Sequence, residues 1–458
     1  MRNLSDLEMV RLLPKSERQA LKPRKSKRPI ALDLFAGVGG LSLGFEQAGF
    51  DVVAAVEYDP IHAGIHELNF PNCEVICADV RDLSGSEIRK RSGIGDEPID
   101  VVVGGPPCQG FSLMGHRVLD DPRNGLVFHF LRIVKELKPR TFVMENVPGM
   151  ATGLHTRLLS ELIEGFQEAG YAVRIPARIL NAANYGVPQD RRRLFLLGAK
   201  RGIALPNYPL PRSRLPLRSS SNGNRHLSFA DLPACPTIWE AIGDLPNIDE
   251  YDDLHETDEL RVRAPKTSDY AAFLRNQVAR DSDYSYPREF DERVLTGCLR
   301  AKHTPLSRKR FAATQAGTTE PVSRFFKLSK EGVCNTLRAG TASDRGAFSA
   351  PRPIHPVHAR CISVREAARI HSYPDWFRFH STIWHGFRQI GNSVPPLLAC
   401  AVGSAVREAL GWVPVKPTSA VRLGPEEFTR FNMRAAAAHF GVDPGVIAPR
   451  KRQSIAAD

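Results

Sequence analysis

Residues 100–112 read Asp-Val-Val-Val-Gly-Gly-Pro-Pro-Cys-Gln-Gly-Phe-Ser: an apolar run hands Cys108 to a rigid Pro-Pro turn and then to a Gly/Ser-rich loop. A free thiol titrates near ~8.5 and needs an electropositive setting to become a good nucleophile at neutral pH. Arg191 and Arg193 in Gln189-Asp190-Arg191-Arg192-Arg193 can supply that field. In Phe142-Val143-Met144-Glu145-Asn146-Val147-Pro148 a carboxyl sits among apolar neighbours. Partial desolvation favours its protonated form, so Glu145 suits the role of proton donor. The remaining cysteines read differently. Cys73, Cys77, Cys334, Cys361 and Cys400 lie among apolar residues or at element ends, and Cys235 and Cys298 have no supporting pattern. The eight cysteines include no C-x-x-C pair, so reduced thiols are expected rather than a disulfide framework. His355-x-x-His358-x-x-Cys361 offers three ligand types but no fourth, and reads as a surface loop, with no metal expected.

A second group of residues points to a cofactor. Asp33-Leu34-Phe35-Ala36-Gly37-Val38-Gly39-Gly40 contains the glycines of a tight turn between a strand and a helix. Acids follow at Glu57 and Asp79, each at the end of a predicted strand. An acid about 20 residues past the glycines suits a ribose diol. A dinucleotide would need helix N-terminal contacts for its pyrophosphate, and the turn has Ser42 where G-x-G-x-x-G has its last glycine. S-adenosyl-L-methionine carries no phosphate, bears a sulfonium cation and suits an acid-rimmed pocket.

The elements that must position these residues alternate along the chain. Strands are predicted at 30–35, 52–57, 74–78, 100–104, 141–145, 172–180 and 193–197, with amphipathic helices between them at 124–137 and 155–169. This pattern predicts an α/β fold with a doubly wound, mostly parallel sheet. Ligands of such sheets bind along the carboxyl ends of the strands, where Cys108 and Glu145 then share an edge. After Gly198 a Pro/Arg/Ser-rich stretch and an acidic region mark a domain boundary. A capping box, Ser363 with Glu366, opens a helix over 364–371, and a last clear helix covers 396–410. The expected division is a basic arm over 1–28, a catalytic and cofactor-binding part over 29–198, a target-recognition domain over 199–380, a return to the catalytic domain over 381–412, and an extension over 413–458.

The net charge of +12 favours a polyanionic partner. Residues 1–28 hold nine Lys/Arg against three acids, and residues 300–346 hold ten against three, a local net of +7. No apolar run has membrane-spanning length and no secretory pattern is visible, so a soluble, cytoplasmic protein with no membrane partner is expected.

Together the motifs resemble those of the DNA cytosine-5 methyltransferases, and in that family's order. Phe35-Ala-Gly37-x-Gly39-Gly40 is similar to its first motif, Pro106-Pro-Cys108-Gln109-Gly-Phe-Ser112 to its catalytic loop, and Glu145-Asn-Val to its acid motif. Gln189-x-Arg191-x-Arg193 is similar to its arginine motif, and Arg365-Glu-x-Ala-Arg369 and Gly391-Asn392-Ser393-Val-Pro395 to its closing motifs. Residues 30–198 and 334–410 carry the resemblance. It implies an S-adenosylmethionine-dependent methyltransferase fold of Rossmann-like type, with a smaller irregular target-recognition domain. It also implies transfer of a methyl group from S-adenosyl-L-methionine to carbon 5 of a flipped-out cytosine in duplex DNA, through attack of Cys108 on C6.

By the same resemblance Phe35 and Tyr58 flank the adenine, Glu57 binds the ribose and Asp79 the adenine amine. Leu126 touches the adenine ring, and Asn392 and Ser393 lie near the methionine end. Asp33, Gly37, Gly39 and Pro106 complete the cofactor set, and Arg193 holds the cytosine. Gln109 and Ser112 join Arg308, Lys309, Arg310, Arg324 and Arg338 as expected DNA contacts. The implied partners are double-stranded DNA and a restriction endonuclease acting separately, with the chain a monomer at the nucleoid of a prokaryotic-like cell. His371 departs from the family, which often has Gln there. An RNA cytosine-5 methyltransferase, a silent nucleic-acid-binding paralogue and a nicotinamide enzyme are the alternatives. Gly110-Phe-Ser112 favours DNA over RNA, the intact Cys108, Glu145 and Arg193 favour an enzyme, and a nicotinamide enzyme leaves Pro106–Gln109 unexplained.

Overall fold

The computed structural model describes residues 28–107, 125–153, 155–216, 231–262, 267–340 and 352–447. Its centre is an eight-stranded sheet of β1 (Ile30–Leu34), β2 (Asp51–Glu57), β3 (Glu74–Cys77), β4 (Val101–Gly104), β5 (Thr141–Asn146), β6 (Tyr171–Val173), β7 (Arg178–Asn181) and β9 (Arg192–Lys200). The order is β3-β2-β1-β4-β5-β9-β6, with β7 also on β9. The first five strands are parallel, and β9 runs antiparallel to β5, β6 and β7. The sheet is therefore doubly wound and mostly parallel, as expected. One prediction needs correcting: 172–180 is two strands, not one. Pro176 has no N–H for a ladder, and β6 and β7 lie end to end along the far side of β9.

Both sheet faces are covered, which is why the strands are apolar on both sides. Ala31, Val101, Val103, Val143 and Phe195 point into one core, and Leu32, Leu34, Val102, Phe142 and Met144 into the other. The second core is closed by α3 (Gly85–Ser92), α4 (Gly125–Leu137) and α5 (His155–Glu168). The first core is closed by α1 (Gly40–Gln47) and α2 (Pro60–Asn69), and by three helices from the far end of the chain: α9 (Val364–Ile370), α10 (Ile383–Asn392) and α11 (Pro396–Ala409). Ser363 and Glu366 form the expected capping box of α9.

The region between is irregular: α6 (Ile238–Ile242), β10 (Glu259–Arg261), α7 (Asp269–Leu274), β11 (Arg288–Glu289), β12 (Val294–Thr296), α8 (Pro305–Ala313) and β13 (Cys334–Asn335). Its β10 and β12 pair antiparallel, and small satellite cores form around Leu254 and Leu295 and around Phe311 and Ile354. β13 pairs in parallel with β8 (Gln189–Asp190), which ties the region to the sheet. Ile238, Tyr270, Leu337 and the aromatic run Tyr373, Trp376, Phe377 and Phe379 share the first core with the sheet. The chain closes with β14 (Val421–Arg422) on β11 and α12 (Met433–Phe440) near α2.

Two details depart from the sequence reading. Arg28, placed in the basic arm, is buried, and its guanidinium donates to the carbonyls of Glu46, Phe50 and Tyr284 and lies 3.0 Å from Asp51. The stretch 355–361, read as a surface loop, is irregular but buries His355, Arg360 and Cys361 while Val357 stays exposed. His355 Nδ1 accepts the N–H groups of Val357 and His358, and burial pushes its pKa down to about 3. No helix among the described residues is long and apolar enough to cross a membrane.

Candidate active site

The glycine turn is shaped from both sides. Phe35 takes a left-handed φ of 60° as the chain leaves β1. Gly39, at φ 100°, lies so close to the Phe70 ring that a Cβ there would collide with it. A Cβ on Gly40 would run into the Val394 carbonyl oxygen, with the Tyr373 hydroxyl 2.8 Å and Ser393 Cβ 3.0 Å away. Ser393 and Val394, more than 350 positions downstream, thus sit directly on the turn, just past Asn392 at the end of α10. Beside Gly37 a Cβ would meet nothing within 4 Å, so open space adjoins the turn.

Three acids stand at or just past the carboxyl ends of the first three strands. Glu57 at the end of β2 accepts the Gly37 N–H on Oε2 and the Asp59 N–H on Oε1, each at 2.8 Å. Burial raises its pKa, opposed by the nearby His62. Asp33 is fully buried and accepts a 2.6 Å bond from Ser42 Oγ on Oδ2, while its buried Oδ1 has no partner among the described residues. Burial pushes its carboxyl up to about 7, against the help of Ser42. Ser42, which stands where a nucleotide-binding turn has glycine, therefore serves this acid. Asp79 accepts the Arg81 backbone N–H on Oδ1 and the Arg81 Nε and Nη2 on Oδ2, at 3.0 and 2.6 Å. Burial works to raise its pKa, and the Arg81 bonds outweigh it and hold the carboxylate low. Tyr58 is 38% exposed, and Leu126 is half-buried in the first turn of α4.

The second cluster stands on the same edge. Because β9 runs against β5, with Glu145 opposite Phe195, Arg193 at its start meets Glu145 at the end of β5. Arg193 Nε lies 2.9 Å from Glu145 Oε1. The other carboxylate oxygen overlies Gly105, where a Cβ would be only 2.7 Å from it. Asn146 Nδ2 donates to the carbonyl of buried Pro106 at 3.1 Å, so the Pro-Pro turn is pinned to the end of β5. Burial raises the Glu145 pKa, and Arg193 and Arg191 only partly offset it. Cys108, Gln109 and Ser112 lie outside the described residues.

Arg191 is wholly buried, and its guanidinium donates to three carbonyls: Leu337 from Nη1, and Gly391 and Ser393 from Nη2, all at 2.8 Å. It is thereby committed to fastening residue 337 and the 391–395 turn to the sheet. His371 continues this work. Gln189 Nε2 donates to its Nδ1 at 3.0 Å, and its Nε2 reaches the Ser393 carbonyl at 3.1 Å. Burial and the neighbouring Arg191 keep the ring neutral, which fits a tautomer that accepts on one nitrogen and donates from the other.

Arg193, the partner of Glu145, borders a cleft of about 610 Å³ lined also by Pro148, Asp190, Arg324, Arg338 and Arg352, among others. Of the expected DNA contacts, the structure brings Arg324 and Arg338 to this cleft. Arg308 is paired with Asp249 at 2.9 and 3.2 Å, Arg310 lies 3.7 Å from Glu320, and Lys309 is exposed on α8. Arg352 was not foreseen, and nothing in its Pro-rich sequence neighbourhood marks it. The buried roles of Gln189 and Asn146 were also missed, although both lie within recognised motifs.

A C-5 cytosine-specific DNA methylase family model matches residues 31–408. The chain belongs to the C-5 cytosine-specific DNA methylases. It is a DNA cytosine-5 methyltransferase. It is 55% identical over 425 residues to Type II methyltransferase M.XorII of Xanthomonas oryzae pv. oryzae, covering 93% of this chain and 95% of that protein. It is 31% identical to Type II methyltransferase M.AgeI of Thalassovita gelatinovora, covering 83% of this chain and 99% of that one. Among solved structures, an E. coli protein described as a DNA modification methyltransferase encoded within a prophage superposes with a TM-score of 0.65 at 32% identity, covering 84% of this chain and all of that one. This family membership fits the mostly parallel sheet.

Proposed function

We propose that this methyltransferase methylates a flipped-out cytosine in duplex DNA, with S-adenosyl-L-methionine as methyl donor and Cys108 as covalent nucleophile. The observation that carries the reading is the Arg193–Glu145 pair: Arg193 lines a basic cleft, and buried Glu145 overlies Gly105 in the turn leading to Cys108. The residues around the glycine turn fit the cofactor. Glu57 keeps lone pairs for a ribose diol, Asp33 has an oxygen without a partner, and no helix dipole is needed for a phosphate. Phe35, Tyr58, Asp79 and Leu126 would flank the adenine, and Asn392 and Ser393 the methionine end. When bound, the cofactor supplies an electrophilic methyl group on a sulfonium.

Cytosine C5 is a weak nucleophile until C6 is attacked. The Cys108 thiolate adds to C6 while Glu145 gives its proton to N3, which leaves an enamine at C5. Arg193, itself held by Glu145, fixes the base in the plane both groups need. After C5 has taken the methyl group, the C5 proton passes to water, the Cys108 thiolate leaves C6 and N3 returns its proton to Glu145, which restores the neutral aromatic ring. A stacked base cannot be reached this way, so flipping, at about a few kcal/mol, precedes chemistry.

Residues 199–380 serve target recognition in this reading, between catalytic parts at 29–198 and 381–412. The chain acts as a cytoplasmic, nucleoid-associated monomer of a type II restriction-modification system, beside a separately acting endonuclease. Bisulfite sequencing of DNA from cells expressing the chain tests the core of the proposal. A sequence-specific 5-methylcytosine pattern that disappears with Cys108→Ala is expected. Methyl transfer unaffected by Cys108→Ala, or labelling of tRNA but not duplex DNA, overturns it.

A further inference from the structure

The chain beyond α11 returns to the cofactor edge of the sheet. The Gly424 N–H donates to the Leu68 carbonyl of α2 at 2.8 Å, and His439 Nε2 on α12 lies 3.1 Å from Glu67 Oε2. Phe440 and Val442 pack against Ala63 of α2 and against Val75 and Cys77 of β3. From there the chain runs to residue 446, whose carbonyl accepts the Tyr58 hydroxyl at 2.7 Å. This bond joins residues 388 positions apart. Tyr58 itself directly follows Glu57, the acid that clasps the glycine turn.

We propose that residues 443–447 form an outer wall of the cofactor pocket, with the Val446 carbonyl as a positioning group that holds the Tyr58 ring. The inference rests on the reading of the glycine turn and Glu57 as the S-adenosyl-L-methionine site. Three features carry it. The Tyr58 residue is more than a third exposed, so packing holds its ring less firmly than in a core and the hydroxyl bond adds a restraint. The wall is anchored, because α12 and Val442 are seated on α2 and β3 just before it. Finally, α2 starts at Pro60, two residues after Tyr58, with Asp59 as its N-cap, so a segment seated on α2 is placed to reach the Tyr58 side chain. A ring already held in place costs the incoming ligand less ordering entropy.

The test uses the full-length protein, Tyr58→Phe, a chain ended after Val442 and a chain ended after Ile447. Binding of S-adenosyl-L-homocysteine is followed by calorimetry, and the cofactor KM and kcat are measured on duplex DNA. Tyr58→Phe and the chain ended after Val442 should each weaken binding by about 3- to 10-fold, the worth of one net hydrogen bond. Combined, they should weaken it no further, because they break the same bond. In the chain ended after Val442 the cofactor KM should rise while kcat at saturating cofactor is retained. The chain ended after Ile447 should bind like the parent, which separates the wall from the basic residues beyond it. Additive effects, or unchanged binding in both variants, overturn the inference. Glu57→Ala provides the distinction from the underlying reading. If it leaves cofactor binding intact, the assignment of the pocket itself fails. If it weakens binding while the other two variants do not, only the wall fails.

Discussion

Burial fixes the character of Glu145 before any partner acts on it. With Arg193 at 2.9 Å an exposed carboxyl would titrate low, yet here desolvation outweighs the ion pair and the pKa is raised. A proton donor with a raised pKa is loaded below that pKa and spent as pH rises through it, so kcat/KM should fall on the alkaline side of this titration. Glu145→Gln should cut kcat by about 100-fold or more and remove that limb from the residual pH profile. Arg193→Ala should move the limb to higher pH, because an opposing cation is gone. Steady-state rates across pH 6 to 10 with duplex DNA check both. Asp33 makes the same point through stability. Its carboxyl is raised from 3.8 to about 7, so the folded state binds more protons than the unfolded chain between those values, and stability falls as pH climbs through that window. Asp33→Asn removes the titration. The melting temperature of Asp33→Asn relative to the parent should therefore rise from about pH 4 to 7 and stay level above it; a difference independent of pH would refute the assignment. Apolar neighbours in the sequence announce the burial of Glu145, whereas the Ser42 bond to Asp33 is invisible there, because it depends on how α1 leaves the turn.

At the scale of elements, the site is held by a fastening that no single segment reveals. The strand and helix positions follow from apolar periodicity, and the antiparallel β9 puts Arg193 on the working edge. Periodicity does not say that Arg191, one side-chain alternation away, points inward to the carbonyls of Leu337, Gly391 and Ser393. Those residues are 146 to 202 positions distant, and long-range partners of a buried guanidinium leave no local trace. Nor does the pattern show that Pro176 divides the strand read over 172–180. The fastening predicts a specific defect. Lys in place of Arg191 keeps the charge but cannot serve three carbonyls with a planar fork. Buried acceptors left unsatisfied cost about 1–3 kcal/mol each, so Arg191→Lys should lose about 2 kcal/mol or more in urea unfolding. Cofactor affinity should fall with it, because the 391–395 turn that sits on Gly40 is released from the sheet. A variant with parental stability would show that the three carbonyls do not depend on this residue.

Over the whole molecule, the distribution of charge matters more than its total. The stretch 300–346, net +7, supplies several of the expected DNA contacts, and its arginines fall into two kinds once folded. Arg308 is drawn back onto Asp249, and with Arg300 and Arg360 around the same carboxylate it stiffens the irregular region. Arg324 and Arg338 are exposed at the cleft that Arg193 borders, with no carboxylate partner among the described residues. Sequence could count these cations but not sort them, since Asp249 lies about 60 positions from Arg308 and meets it only in the fold. Releasing counterions from DNA needs a cation that is not already neutralised. Arg324→Ala and Arg338→Ala should therefore each weaken DNA binding and reduce the slope of log K against log salt by about 0.9. Arg308→Ala should leave that slope nearly unchanged and lower stability instead. Cofactor affinity without DNA should stay at the parental value in all three. Fluorescence anisotropy with a duplex oligonucleotide between 50 and 300 mM salt measures the slopes. Equal losses for the three variants would mean that the basic stretch acts as one diffuse surface and that the cleft has no privileged place in holding the substrate.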